Sequence, residues 1–182
     1  MEKATARINK AVANGEKITV YGDYDVDGIT SVVVLYRYLT SVGAKVDYYI
    51  PDRTEEGYGL NTAALRSIYE SGTSLIVTVD TGTTAVEEIA EAEGYGLDVI
   101  VTDHHECKPT LPECIAVVNP KRPDSVYPYK ELAGIGVVFK LVCALIGDSS
   151  KAFSLYGDLV AIGTIADIMP LVDENRILVS LG

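Results

Sequence analysis

The hydrophobic positions of this chain form short apolar runs that alternate with longer amphipathic segments. The short runs are rich in β-branched residues and predict strands at residues 17–21, 45–50, 75–79, 97–102 and 115–118. The longer segments predict helices at residues 1–16, 28–42, 61–71, 84–93, 134–146, 152–165 and from 175 onward. Strands that alternate with helices of this length predict an α/β fold, a parallel sheet with helices on both faces.

Polar residues and glycines mark where several of the predicted helices begin and end. Asn61 is placed to cap one helix, and Thr84 and Glu87 have the spacing of a capping box at the start of another. Gly72 predicts the end of the helix that Asn61 begins. Because Thr84 is predicted to cap its helix, the acid at the end of the preceding strand, Asp80, is free for another role.

The composition is typical of one globular domain that spans residues 1–182. At 48% hydrophobic content the chain can bury a full core. No apolar run reaches the roughly 18 to 20 residues that cross a bilayer, so we predict no membrane contact. The amino terminus lacks the pattern of a signal peptide, and the three cysteines form no CxxC pair. We therefore expect a soluble protein of the reducing cytoplasm.

The net charge of −11 argues against a protein that holds nucleic acid through a broad basic surface. It suits a site in which carboxylates gather divalent cations, because the cations then supply the positive charge that a phosphate needs. If the substrate is a polynucleotide, we expect metal ions and regions outside this chain to make most of the contacts with its backbone.

Candidate metal ligands occur in four clusters, and three of these clusters directly follow a predicted strand. Because the carboxyl ends of parallel strands share one edge of a sheet, we expect these three clusters to meet there. The fourth cluster is an acid in an apolar stretch, where an unpaired carboxylate would be costly. In chain order the ligands are Asp23, Asp25 and Asp27, then Asp80, then Asp103, His104 and His105, and finally Asp167.

The first cluster has two alternative interpretations. Alternate carboxylates of an extended segment point to one side, so Asp23, Asp25 and Asp27 could converge on a cation. A calcium EF-hand loop begins with the same spacing, but its twelfth position requires a Glu, and here that position is Val34. A solvated polar turn is the remaining alternative, both here and for the cluster that contains the histidines.

Oxygen ligands together with imidazole favour Mn²⁺ or Mg²⁺, with Fe²⁺ and Zn²⁺ as alternatives, and ligands this numerous imply two ions. Two ions about 3.5 to 4 Å apart can activate a water, hold phosphate oxygens and stabilise an in-line displacement. The residues therefore predict a two-metal hydrolase of phosphoester or phosphoanhydride bonds.

Two further motifs invite other interpretations. Cys107 and Cys114 lie near the histidines, but their spacing is not that of a zinc knuckle, so we predict free thiols. Gly134 and Gly136 could open a dinucleotide-binding fingerprint, but its third glycine position is Phe139. These two glycines instead predict close backbone packing or a helix start that receives an anion, and we expect both to contact the substrate.

The motifs resemble those of the DHH phosphoesterase superfamily, and within it the RecJ family of single-stranded-DNA exonucleases. The resemblance runs from about residue 17 to the end of the chain. Four segments carry the superfamily motifs, at residues 21–31, 79–80, 102–105 and 163–170. Four others resemble the RecJ family in particular, at residues 50–53, 56–60, 119–120 and 132–136.

This resemblance implies 5′-to-3′ hydrolysis of single-stranded DNA to mononucleotides, with Mn²⁺ or Mg²⁺ as cofactor. It also implies roles for individual residues, with Asp80, His104 and His105 as the catalytic group. His105 would contact the scissile phosphate and stabilise its developing charge. One ion would be held by Asp25 and Asp80 with help from Asp23, and the other by Asp27, Asp80, His104 and Asp167.

The chain departs from the family pattern in two ways. Many superfamily members carry a histidine ligand at the position of Tyr21, so the ligand set of the first ion is left open. The DHHA1 and OB-fold domains of the family are absent from this sequence, which predicts a catalytic core of a longer protein. A single-stranded-DNA-binding protein is the expected protein partner.

Two other functions stay open on the sequence. One is a phosphatase or phosphodiesterase for small substrates such as pyrophosphate, short oligonucleotides or cyclic dinucleotides. The other is a DHH-like binding module without catalysis, against which the intact ligands of all four motifs argue.

Overall fold

The strands form one parallel sheet in the order β2-β1-β3-β4-β5. The computed structural model describes residues 1–182. The strands are β1 (Lys17–Tyr21), β2 (Lys45–Tyr49), β3 (Leu75–Val79), β4 (Asp98–Thr102) and β5 (Ala116–Val118). All five agree with the predicted strands to within one residue at each end. β3 is buried at every position, because its apolar, β-branched side chains pack on both faces of the sheet.

Helices cover both faces of the sheet, so the predicted α/β fold is confirmed. The helices are α1 (Glu2–Asn14), α2 (Val26–Ser41), α3 (Thr62–Glu70), α4 (Val86–Gly94), α5 (Gly134–Ile146), α6 (Ser149–Ala166) and α7 (Asp173–Leu181). The larger core lies between the sheet and α1, α2, α5 and α6, and the smaller one lies under α3 and α4. None of the helices combines the length and the apolar content needed to cross a bilayer.

The strand order places the predicted ligands at one edge of the sheet. β1 pairs with β2 on one side and with β3 on the other. The chain therefore adds β2 on one side of β1 and all later strands on the other side. Tyr21 aligns with Thr78, and Val79 aligns with Thr102. The segments that follow β1, β3 and β4 therefore leave the sheet at nearly the same level, where a parallel α/β sheet binds its ligands.

Several helix boundaries differ from the prediction: α6 and α7 begin three and two residues early, α1 ends two residues early, and the starts of α2 and α4 also differ. α2 begins at Val26, two residues early, because the Asp25 side chain caps it and accepts the Gly28 N–H at 2.8 Å. α4 begins at Val86, and its N-cap Ala85 makes no side-chain hydrogen bond. The predicted capping box at Thr84 is therefore wrong. By contrast, Asn61 caps α3 as predicted.

Candidate metal centre

The first acidic cluster lies where β1 ends and α2 begins. Asp25 is the N-cap of α2, so Asp27 lies in the first helical turn and not in an extended segment as the alternating pattern predicted. Successive helical residues point in directions about 100° apart, which separates the Asp27 carboxylate from those of its neighbours. Asp23 and Asp25 accordingly form one group of nearby ligand atoms, and Asp27 belongs to another.

Asp27 is buried against the amino terminus of α5. Its two carboxylate oxygens accept the N–H of Gly134 at 2.7 Å and the N–H of Ile135 at 2.8 Å. The first amides of a helix have no partner within the helix, and they favour a negative charge. The start of α5 therefore receives an anion as predicted, and that anion is a side chain of the protein itself.

His104 lies among three carboxylates. Its Nε2 is 3.2 Å from Asp80 Oδ1, 3.6 Å from Asp167 Oδ2 and 3.9 Å from Asp27 Oδ2. Both ring nitrogens of His104, Asp80 Oδ1 and Asp167 Oδ2 are buried without any hydrogen-bond partner. Buried polar atoms in native proteins are nearly always paired. This concentration of unpaired ligand atoms therefore indicates a site for a bound cation.

The candidate ligands form three overlapping groups. Within each group, one ligand atom from every side chain lies within 4.8 Å of the others. The groups are Asp23, Asp25 and Asp80; Asp80, His104 and His105; and Asp27, His104 and Asp167. Asp80 and His104 each belong to two groups and so join the set together. The three groups therefore form one continuous set of candidate ligands.

The electrostatics of these acids also favour a cation. Burial raises the pKa of Asp27 to about 6, although the Ile135 N–H and His104 oppose the shift. Burial and the charge of Asp27 raise the pKa of Asp80 to about 10. Burial likewise raises the pKa of Asp167. Without a positive charge among them, these carboxylates hold protons at a pH where isolated ones are ionised.

Asp103 belongs to none of the three ligand groups. Its Oδ1 accepts the backbone N–H of His104 at 2.7 Å and the backbone and ring nitrogens of His105 at 3.1 and 2.7 Å. Its Oδ2 accepts the Thr83 N–H at 2.8 Å. Burial alone would raise the pKa of Asp103, but its hydrogen bonds with His105 and Thr83 lower that pKa to about 2. These donors hold the carboxylate as part of the scaffold that orients His105.

His105 is the more exposed of the two histidines, and it hydrogen-bonds to Asp103 and to two other segments, through Tyr58 and Asn119. Its hydrogen bond with Asp103 raises the pKa of His105 to about 9. The Tyr58 hydroxyl lies 3.2 Å from Nδ1 and 3.3 Å from Nε2. Asn119 Nδ2 donates to the His105 carbonyl and to Thr83 Oγ1, both at 2.9 Å. Tyr58, Thr83 and Asn119 were missed as site residues, and the family-like segments at 56–60 and 119–120 were the available signals for two of them.

Tyr21 occupies the position where the family resemblance led us to expect a histidine ligand. It is fully buried, its hydroxyl donates to the Gly59 carbonyl at 3.1 Å, and its ring stacks on Tyr49 with 5.1 Å between centroids. The hydroxyl is thus used by the loop that follows β2. The ligand group at this end of the site consists of carboxylates alone, from Asp23, Asp25 and Asp80.

The remaining predicted residues lie outside the ligand groups. Gly134 and Gly136 are both buried in the first turn of α5. The Gly134 N–H is taken by Asp27, and Gly136 packs against the Leu132 side chain. Their predicted contact with substrate therefore stays a prediction. Cys107 and Cys114 are free thiols, as predicted, and no cysteine belongs to a ligand group.

Comparison with known proteins places this geometry in a family. The model of the "DHH family, N-terminal domain" matches residues 17–164. The single-stranded-DNA-specific exonuclease RecJ of Bacillus subtilis is 55% identical over 182 residues, which are 100% of this chain and 23% of that protein. The chain therefore spans less than a quarter of the length of this relative.

Solved structures agree with that match. An exonuclease RecJ bound to manganese superposes with a TM-score of 0.88 at 40% identity, covering 99% of this chain and 46% of that one. RecJ of Thermus thermophilus in complex with Mn²⁺ gives a TM-score of 0.82 at 36% identity, covering 99% of this chain and 26% of that one. The complex of the same protein with Mg²⁺ superposes with a TM-score of 0.65 at 33% identity, covering 99% of this chain and 22% of that one.

Proposed function

Because this chain belongs to the DHH family, we propose that it carries the metal-dependent centre of an exonuclease that hydrolyses single-stranded DNA from the 5′ end. The observation that carries the proposal is the set of buried, unpaired ligand atoms on Asp80, His104 and Asp167. The substrate and direction are supported by the relatives, which are named as single-stranded-DNA-specific exonucleases, and by the family resemblance of the motifs.

Mn²⁺ or Mg²⁺ fits the donor set, which consists of carboxylate oxygens and one or two imidazoles. We propose that Asp23, Asp25 and Asp80 hold one ion, and that the other is held by Asp27, Asp80, His104 and Asp167. Bound ions would neutralise phosphate oxygens and lower the pKa of a water molecule. The related RecJ structures contain Mn²⁺ or Mg²⁺, which supports this choice of metals.

We propose that His105 donates a hydrogen bond to the substrate phosphate. Its Nδ1 is 2.7 Å from Asp103 Oδ1, so Nε2 is the nitrogen that would donate to the phosphate, in place of its present neighbour, the Tyr58 hydroxyl at 3.3 Å. With a pKa of about 9, raised by the bond with Asp103, the ring is protonated at neutral pH. A fixed donor at this position stabilises charge that develops on a phosphate oxygen. Asp103 acts through His105 and does not touch the substrate in this proposal.

We propose that regions of a longer protein make most of the contacts that bind DNA. The net charge of −11 does not favour the binding of a polyanion, and the chain spans only 23% of its Bacillus subtilis relative. A single-stranded-DNA-binding partner protein stays a prediction. A cytoplasmic location is also proposed, since three free cysteines suit a reducing compartment.

The test separates bond cleavage from DNA binding. The 182-residue chain is assayed with Mn²⁺ on the p-nitrophenyl ester of thymidine 5′-monophosphate, a small phosphodiester that needs no extended grip, and on 5′-labelled single-stranded DNA. We expect metal-dependent cleavage of the ester that is lost in Asp80→Ala and retained in Asp158→Ala, an exposed acid on α6. Equal activity of wild type and Asp80→Ala would contradict the proposal.

The same assay distinguishes the alternative substrates. Relative kcat/KM values for single-stranded DNA, pyrophosphate and a cyclic dinucleotide are compared in a chain as long as the relatives. A clear preference for either small substrate would replace the exonuclease by a small-substrate phosphatase. A chain that binds Mn²⁺ but cleaves none of them would favour the binding module.

A further inference from the structure

Gly134, the first residue of α5, contacts two of the acids in the metal centre. Its N–H donates to Asp27 Oδ2 at 2.7 Å, and its Cα lies against the Asp80 side chain. A Cβ added to Gly134 would lie only 2.7 Å from both the Cβ and the Cγ of Asp80. Real Cβ atoms do not approach other carbon atoms this closely, since protein interiors are packed at van der Waals contact.

We infer that Gly134 is a positioning residue of the metal centre, because the absence of a side chain there lets Asp80 approach Asp27 and His104 closely enough to share an ion. This inference rests on the metal site proposed above. It gives Gly134 a role in ligand spacing beside its predicted contact with the substrate.

Rotation of the Asp80 side chain cannot relieve the contact that a Cβ at position 134 would make. The Cβ of Asp80 is fixed by its backbone, which has a φ of 60° and donates its N–H to the Thr102 carbonyl at 3.0 Å. On the other side, Ile135 is fully buried and bonded to Asp27, which holds the start of α5 in place. A side chain at position 134 must therefore push α5 away from the end of β3 and widen the ligand set.

Gly136 provides a matched control in the same turn of α5. The three atoms nearest to a Cβ added there all belong to the Leu132 side chain, at 3.2 to 3.7 Å. Both Gly→Ala substitutions bring the same gain in helix propensity. They differ in whether the new methyl group meets a metal ligand or an apolar side chain.

The first measurement is calorimetric titration of the 182-residue chain with Mn²⁺, in the absence of DNA. We expect Gly134→Ala to weaken Mn²⁺ binding by about tenfold or more, the usual effect of substituting a residue that positions a metal ligand. We expect Gly136→Ala to leave Mn²⁺ binding unchanged. Equal Mn²⁺ affinities in the two variants would overturn the inference. A wild-type chain without affinity for Mn²⁺ would instead overturn the proposed function.

The second measurement needs no metal and keeps the inference testable if Gly134→Ala folds poorly. Thermal unfolding in EDTA is followed for Gly134→Ala, Asp80→Gly and the double variant, and glycine suits the positive φ at position 80. We expect Gly134→Ala to lower the Tm, or to prevent folding, only while Asp80 is present. An equal loss of Tm in the Asp80→Gly background would show that Asp80 is not the group that Gly134 accommodates.

Discussion

Asp80 and Asp103 follow the neighbouring strands β3 and β4 and are almost equally buried, yet their carboxylates have opposite surroundings. Asp80 is 2% exposed and Asp103 is 1% exposed. Asp103 accepts four hydrogen bonds, from Thr83, His104 and twice from His105. Asp80 Oδ1, by contrast, has no hydrogen-bond partner.

The pKa values of the two acids differ accordingly. Burial acts on both, but for Asp80 the charge of Asp27 adds to it and the pKa rises to about 10. For Asp103 the hydrogen bonds with His105 and Thr83 outweigh burial and the pKa falls to about 2. Residue type, burial and position after a strand therefore do not separate a metal ligand from a structural acid. The two acids differ instead in the hydrogen bonds that each carboxylate already accepts, and we propose on this ground that Asp80 is a ligand and Asp103 part of the scaffold.

The substitution Asp80→Asn should give the largest effect and should separate metal binding from stability. We expect Mn²⁺ affinity to fall by more than about 100-fold. Substitution of residues that only hydrogen-bond to a metal ligand already lowers metal affinity by about 10- to 100-fold. The Tm in EDTA should stay equal or rise, because without a cation Asp80 must take up a proton to be buried, whereas asparagine is already neutral and tolerates positive φ. Calorimetry and thermal unfolding measure the two quantities.

The control for this prediction is Asp158→Asn, which changes an exposed acid of α6 and removes the same formal charge. Its Mn²⁺ affinity and Tm should both match those of the wild type. A large loss of Tm in EDTA for Asp80→Asn would mean that Asp80 belongs with the scaffold acids.

Asp103→Asn should show the reverse pattern. We expect the free energy of unfolding to fall by about 2 to 4 kcal/mol, because hydrogen bonds to a buried charged group contribute about 1.5 to 3 kcal/mol each. The loss should be the same in EDTA and in Mn²⁺, and urea unfolding in both buffers measures it. A variant of normal stability that no longer binds Mn²⁺ would make Asp103 a ligand after all.

The sheet could be predicted from the sequence because its signal is local. Runs such as Leu75–Val79 are apolar at nearly every position, and a strand buried on both faces leaves that pattern wherever it occurs. Helix starts were harder to predict, because a cap depends on which side chain reaches the free amides. Asp25 does so for α2, whereas Thr84 does not for α4.

The site could be predicted only in part, because some of its contacts join distant segments. Asp27, Asp80, His104 and Asp167 were expected from residue type and position, and the structure brings them together. The scaffold role of Asp103 depends on the turn that carries it and on Thr83, twenty residues away in the chain. No pattern along the sequence reports such a contact.

The stability of the metal-free chain should depend on pH with a definite sign. Burial raises the folded-state pKa of Asp27 to about 6 and that of Asp80 to about 10. The hydrogen bond with Asp103 raises the folded-state pKa of His105 to about 9. A group with a raised pKa contributes stability that is complete below its unfolded pKa and is lost as pH rises through the folded value. The Tm in EDTA should therefore fall from about pH 4 to pH 9, with Asp27 contributing up to about pH 6, His105 from about pH 6.5, and Asp80 across the whole range.

Asp103 does not contribute in that window, because its lowered pKa costs stability only as pH falls below about 4 toward 2. Mn²⁺ should flatten the slope, since a cation replaces the protons on Asp27 and Asp80. Asp80→Asn should reduce the slope even in EDTA. A Tm that rises across this pH range in EDTA would show that these acids are not held in their protonated forms.

Tyr21 offers the smallest and most selective test, because its hydroxyl is a third buried polar group at this edge of the sheet. Like Asp103 it has a protein partner, the Gly59 carbonyl, so the comparison assigns it to the scaffold. Tyr21→Phe keeps the stacking on Tyr49 and loses one hydrogen bond, worth about 1 kcal/mol. We expect a Tm lower by about 2 to 4 °C, the usual shift for that loss in a chain of this size, and an unchanged Mn²⁺ affinity. A weaker affinity for Mn²⁺ in Tyr21→Phe would show that the hydroxyl takes the place of the histidine ligand found in other members of the superfamily.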